Sequence, residues 1–232
     1  DMVMIMKEYF EIALKEAKRR KGFCSPNPAV GAVLVRDGKV ITQGTHWGPG
    51  HSHAEVQVLA NVSDALIKES ELYVTLEPCC HYGRTPPCTE LIAKHHPKAV
   101  YFSQLDPNPA VAGKGQQALQ AAGIECQHVP VQGISEFYNS YCYWHQHQRP
   151  WVNAKIALSA DGKIAGPNGK PVEITGQECR QYTHQWRKQC DAILTTITTI
   201  LNDDPLMNVR LENETIAKPI YILDSHCRFP LD

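Results

Sequence analysis

The sequence predicts an α/β protein in two parts: a mixed sheet sandwiched by helices over residues 1–148, then a second, shorter α/β domain over 149–232. Three observations predict it. Strand-like and helix-like segments alternate up to residue 129, the pair Arg149-Pro150 interrupts them, and the alternation restarts at Trp151. At 232 residues the chain can hold one large domain or two smaller ones, since domains commonly run about 100–150 residues.

Ile5, Tyr9, Ile12, Ala13 and Ala17 recur at helical spacing with lysines between them, so residues 4–20 read as an amphipathic helix packed on a sheet. Residues 29–35 form an apolar strand, and Asp37-Gly38 is a hairpin turn into a strand at 40–44. Residues 54–60 read as helix, 71–76 as strand, 89–95 as helix and 99–104 as strand. A helix at 113–122 ends on Gly123 as a C-terminal cap, and 124–129 is the next strand. That order means βαβ units and a parallel or mixed sheet covered by helices.

Proline forces its predecessor extended, which makes Arg149-Pro150 a boundary. Beyond it come a strand from Trp151, an Asp161-Gly162 turn, a helix at 176–189, a strand at 191–195 and a strand-like run at 219–223. The second domain has about 80 residues, short for a domain, and stops soon after that last run, so it reads as incomplete.

Charge is nearly balanced, with 23 Lys plus Arg against 24 Asp plus Glu, which removes any global electrostatic case for nucleic acid or an anionic membrane. Residues 1–6 are too short for a secretory signal and begin on an acid, and no stretch approaches the roughly 18 apolar residues of a membrane span. The expectation is a cytoplasmic protein with a small-molecule partner. Nine cysteines without a signal peptide favour reduced thiols or a metal over a disulfide framework.

The chemistry is concentrated in His53-Ala54-Glu55 and in residues 77–88, Glu-Pro-Cys-Cys-His-Tyr-Gly-Arg-Thr-Pro-Pro-Cys. One imidazole and two thiolates suit a tetrahedral Zn2+ whose fourth position is left for water, which implies catalysis. A structural site would instead close that position, and Cys80 and His81 are near enough in sequence to do so. H-x-E followed by P-C-x-x-C marks zinc nucleobase deaminases, in which the glutamate shuttles protons and is not a ligand. Here the second cysteine comes nine residues after Cys79, at Cys88, so the intervening loop is free to serve the substrate. Cys80 adjoins Cys79, and the motif alone selects Cys79.

With these residues in view the chain resembles the bifunctional riboflavin-biosynthesis deaminase/reductases along essentially its whole length. The specific part is the 77–88 string. Pro26-Asn27-Pro28, Gly44-x-His46, Asp106-Pro107-Asn108-Pro109 and Gly113-Lys114-Gly115 match as well. The resemblance implies a cytidine-deaminase-like first domain with His53, Cys79 and Cys88 on zinc and Glu55 as the catalytic proton shuttle. Its reaction would be hydrolytic deamination of 2,5-diamino-6-ribosylamino-4(3H)-pyrimidinone 5′-phosphate. Asn27, His46, His81, Arg84, Asp106 and Asn108 would hold that substrate, since an amide can read a pyrimidine edge and a guanidinium can pair with phosphate.

The second domain resembles the front of the reductase half, with a dihydrofolate-reductase-like fold and NADPH as reductant. The matching stretches include Lys155-x-Ala157-x-Ser159-x-Asp161-Gly162, Thr175-Gly176, Arg187 and Asp203-Asp204-Pro205-Leu206 through Arg210. The resemblance implies Arg187 and Arg210 at the substrate phosphate with Leu206 beside them, and Ala157, Thr199 and Asp203 next to the cofactor. Lys155 and Asp203 are the titratable candidates for reduction. Exposed strand edges on an incomplete domain lead to the expectation of a homo-oligomer.

Overall fold

The computed structural model describes residues 2–83, 85–109 and 111–230. The chain divides into two compact units, Asp1–Trp151 and Val152–Asp232.

In the first unit α1 (Met2–Lys18) leads into the hairpin of β1 (Gly31–Arg36) and β2 (Lys39–Thr45). Asp37 (φ 49°) and Gly38 (φ 76°) both lie in the left-handed region, the geometry of the tight turn that the Asp-Gly pair signals. The chain continues through α2 (Ala54–Leu59), α3 (Asp64–Lys68), β3 (Glu71–Leu76), α4 (Cys88–His95), β4 (Ala99–Gln104), α5 (Lys114–Ala121), β5 (Glu125–His128), α6 (Gln132–Phe137) and α7 (Asn139–His147). Among the described residues these strands form one five-stranded sheet in the order β2-β1-β3-β4-β5. β1 runs antiparallel to both β2 and β3, while β3, β4 and β5 are mutually parallel neighbours, which makes the sheet mixed.

Alternation along the strands splits the core in two. Val33, Val35 and Tyr73 pack with Phe10, Ala13 and Ala17 of α1 and with Ile134, Phe137 and Tyr138 on one face. Ala32, Leu34, Leu72, Val74, Val100 and Phe102 pack with Val58, Ile67, Ile92 and Leu119 on the other. Every one of these strand positions has its side chain on one face or the other, as a period of two requires. The sandwich of helices around the sheet is therefore the predicted one.

α1 lies hard against β1 at Gly31, where an added Cβ would fall 1.9 Å from the Ala13 carbonyl oxygen. Gly31→Ala is expected to cost ~1–3 kcal/mol as an overpacked contact, toward the upper end because the obstacle is backbone. A urea midpoint unchanged by the substitution would contradict this packing.

Three helices of this unit escaped the sequence reading. α3 has five residues, too few for periodicity, although Ser63 caps it by accepting from the Leu66 N–H. α6 and α7, with Tyr138 between them, place Ile134, Phe137, Tyr138 and Tyr141 at helical spacing, a signal present in the sequence after the last strand of the unit.

The second unit contains α8 (Gln177–Gln189), β6 (Ile193–Thr196), α9 (Ile197–Asp203), the hairpin of β7 (Val209–Leu211) and β8 (Glu214–Ile216), and β9 (Ile220–Leu223). β6 and β9 pair in parallel. The Asp161-Gly162 turn forms, closed by a bond from the Ser159 N–H to the Lys163 carbonyl. The strand predicted from Trp151 does not form: residues 151–159 carry no strand. Val152, Ile156 and Leu158 do alternate, but among the described residues no neighbouring strand completes a ladder with them, and all three are exposed.

Candidate metal centre

The parallel strands β3 and β4 end side by side, and the chain leaves each of them into a loop that carries chemistry, as open α/β sheets commonly arrange. His53 is the N-terminal cap of α2 in extended conformation, and its side chain makes no capping bond to the helix. Cys79 follows Pro78 just past β3, and Cys88 is the first residue of α4. The Cys88 N–H donates to Cys79 Sγ (3.3 Å) and the Thr89 N–H to the Cys79 carbonyl (3.1 Å), so the start of α4 closes the nine-residue excursion.

His53, Cys79 and Cys88 each offer one ligand atom, and these atoms all lie within 4.8 Å of one another. His53 Nδ1 is 3.2 Å from Cys88 Sγ and 3.6 Å from Cys79 Sγ. Tetrahedral zinc with ordinary Zn–N and Zn–S bonds requires N···S separations of about 3.5 Å. The donors therefore fit zinc in type, number and spacing. Cys80 and His81 stay outside this group, and His81 is exposed.

Glu55 sits in the first turn of α2, 4% exposed. Burial, reinforced by the Cys79 thiolate, pushes its carboxyl up to about 7. Cys79 is pushed below the ordinary thiol range by the hydrogen bond from the Cys88 thiol, with His53 adding a second. The same bond, with burial and the nearby Glu55, pushes Cys88 above the ordinary thiol range. His53 is raised by its bond to Cys79.

Asn27 and His46 meet beside this cluster: Asn27 Nδ2 lies 3.1 Å from His46 Nε2, and the His46 and His53 rings are 5.0 Å apart, edge to face. His46 Nδ1 is 3.1 Å from the Ser52 carbonyl, so it carries the proton and Nε2 accepts from Asn27. Burial lowers the His46 pKa and keeps that ring neutral. Across the end of β4, the Asp106 carboxylate accepts from the Asn108 N–H (2.9 Å) and from the Tyr141 hydroxyl (3.3 Å), and burial raises its pKa. Arg84 lies outside the described residues.

Sequence reasoning missed two supports of these loops. The Tyr138 hydroxyl donates to the Ala29 carbonyl (2.8 Å) and meets Thr75 Oγ1 (2.7 Å), which accepts from the Gly31 N–H; together they pin the segment that follows Asn27. Tyr141 reaches Asp106 from α7.

In the second unit Arg187 and Arg210 converge on one residue. Arg187 Nη1 donates to the Asn208 carbonyl (2.7 Å) and Arg210 Nη1 to Asn208 Oδ1 (2.6 Å). Leu206 nearby in sequence is 71% exposed. Thr199 is in the first turn of α9, its N–H donating to Thr196 Oγ1, and Asp203 is the last residue of that helix. Lys155 and Asp203 are exposed and Ala157 is half-buried.

Comparison with known proteins follows the same division. Residues 4–104 match the family described as the cytidine and deoxycytidylate deaminase zinc-binding region, and 150–232 match the RibD C-terminal domain. The riboflavin biosynthesis protein RibD of Aquifex aeolicus is 41% identical over 229 residues, 98% of this chain and 64% of that protein. The structure of Acinetobacter baumannii RibD superposes with a TM-score of 0.89 at 38% identity, over 99% of this chain and 66% of that one. A diaminohydroxyphosphoribosylaminopyrimidine deaminase/5-amino-6-(5-phosphoribosylamino)uracil reductase from Thermotoga maritima gives 0.88 at 34% identity, over 97% and 64%. The chain thus spans just under two thirds of the length of these relatives. With both regions in order and this identity across nearly all its residues, the chain belongs to the RibD family of riboflavin biosynthesis proteins.

Proposed function

We propose that residues 1–148 form a zinc-dependent hydrolytic deaminase of 2,5-diamino-6-ribosylamino-4(3H)-pyrimidinone 5′-phosphate, and that 149–232 belong to an NADPH-dependent reductase of the ribosyl chain of its product. The observation that carries the reading is that, among the described residues, only His53, Cys79 and Cys88 gather as donors, while the buried carboxyl of Glu55 lies beside them. A structural site commonly adds a fourth Cys or His.

His53, Cys79 and Cys88 would hold the metal. Zinc bound there would supply Lewis acidity at neutral pH. Glu55 takes a proton from the attacking water and hands it to the amino group that leaves the ring as ammonia; water in and ammonia out convert the amine-bearing carbon to a carbonyl. A carboxyl titrating near neutrality suits both transfers. Asn27, His46, Asp106 and Asn108 orient the ring, and His81 and Arg84 on the 79–88 loop take the phosphate end. In the reductase part Arg187 and Arg210 face the substrate phosphate with Leu206 beside them, Ala157, Thr199 and Asp203 adjoin NADPH, and Lys155 and Asp203 serve proton transfer. The convergence of both arginines on Asn208 supports the phosphate role.

No helix among the described residues is long and apolar enough to cross a membrane. A small nucleotide as partner, a cytoplasmic location and association of copies complete the proposal. Its test is ammonia release from the diamino-pyrimidinone nucleotide, cytidine and single-stranded DNA side by side. Release from the nucleotide alone is expected; release from cytidine or DNA instead would overturn the substrate assignment.

A further inference from the structure

Glu77 is the one acid of the 77–88 string that the proposed chemistry leaves unused. It is 3% exposed, and among the described residues no basic side chain pairs with it. A carboxylate buried this deeply must be met by hydrogen bonds. Four backbone amides meet it. Oε2 accepts from the Asp106 N–H (3.4 Å) and the Gly113 N–H (3.0 Å); Oε1 accepts from the Gly115 N–H (2.9 Å) and the Gln116 N–H (3.2 Å). The Glu77 N–H in turn donates to the Gln104 carbonyl at 2.9 Å.

These partners have a pattern. Asp106 and Gly113 are the two ends of one loop, and Gly115 and Gln116 are in the first turn of α5, whose unpaired amides and positive dipole end favour a carboxylate. α5 has no side-chain cap of its own, because its N-cap is Gly113 with φ 76°, so Glu77 caps it from another element. Gly115 must lack a side chain: a Cβ there would fall 2.2 Å from the Pro78 carbonyl oxygen. The glycines of Gly113-Lys114-Gly115 thus let α5 approach the carboxylate. Within the loop, Asn108 donates its N–H to Asp106 and accepts from the Val111 and Ala112 amides, so the clamp at the ends holds a folded unit.

We propose that Glu77 is a positioning residue which, by clamping both ends of the 106–113 loop two residues before the zinc ligand Cys79, fixes Asp106 and Asn108 for substrate binding. This rests on the deaminase reading above. The carboxylate neither touches the metal donors nor moves protons; it sets where the substrate loop stands.

The test is Glu77→Gln in the zinc-loaded chain, an isosteric change whose amide oxygen can still accept while its NH2 opposes the other pair of N–H groups. Zinc content equal to that of the unsubstituted chain is expected, with KM for the nucleotide raised at least tenfold and kcat within about threefold. Asn108→Ala should then raise KM much less in the Glu77→Gln background than alone, because the loop is already displaced. Amide exchange should accelerate at least tenfold at 106, 113, 115 and 116 and stay unchanged over 79–88. An active chain in which Glu77→Gln leaves KM unchanged, in which the two substitutions simply multiply, or in which exchange does not change, overturns the clamp. Silence of the unsubstituted chain defeats the parent reading, and substrate positioning with it. Should Glu77→Gln not accumulate folded, Glu77→Asp, which keeps the charge but is one methylene too short to reach both pairs of amides, must give the same KM split.

Discussion

Glu55→Gln is expected to keep zinc and to lower ammonia release ~10²- to 10⁴-fold, the span over which a positioned acid–base group contributes. The amide has the carboxyl's shape and cannot carry the proton. The same substitution has a stability signature in zinc-free protein. The Glu55 pKa in the fold is raised from 4.5 to about 7, chiefly by burial. A raised carboxyl pKa favours the fold below the unfolded value, and that advantage is lost as pH climbs through the folded value. Wild type should therefore lose stability relative to Glu55→Gln between about pH 4.5 and 7, by a few kcal/mol, and then level off. Denaturant midpoints of the two proteins across pH 4–8 check this. A parallel pair of curves would mean that Glu55 is not the buried, elevated carboxyl described above.

Cys88→Ala is expected to weaken zinc binding by more than 100-fold, since even outer-shell partners of a metal commonly cost 10–100-fold. Ammonia release should fall to the uncatalysed level at ordinary zinc concentrations. Folding should survive, because Cys88 is 1% exposed within the apolar cluster around Ile92 and Ala replaces it with a small void. Metal analysis after dialysis against a weak chelator separates this loss from the Glu55→Gln result, where zinc stays and turnover goes. Cys80→Ala, at a thiol outside the donor cluster, should retain zinc.

The donor cluster was legible because few residue types can form one: an H-x-E on a helix start, a Pro-Cys past a strand and a later cysteine leave little freedom. The strands and α1 were legible for a different reason. Val33, Leu72, Val100 and Phe102 are buried in the centre of the sheet, and burial imposes the periodicity that sequence reading detects. What the sequence hides are residues that act through backbone. Glu77 recognises four N–H groups whose identity as Asp106, Gly113, Gly115 and Gln116 depends on where two loops meet, and backbone amides leave no side-chain signal. Tyr141 is hidden by its element, since its partner Asp106 is 35 residues away and only packing of α7 brings them together. In the second unit the signal was present and misled: the alternation at 152–158 demands a neighbour strand, and the described residues hold none.

The proposed role of the His53, Cys79 and Cys88 cluster is tested by reloading zinc-stripped protein in steps, with bound zinc and ammonia release from the diamino-pyrimidinone nucleotide measured on the same samples. Release is expected to rise in proportion to bound zinc and to saturate at one ion per chain. One zinc per chain with no ammonia at any occupancy would overturn the deaminase reading and leave the cluster a structural site.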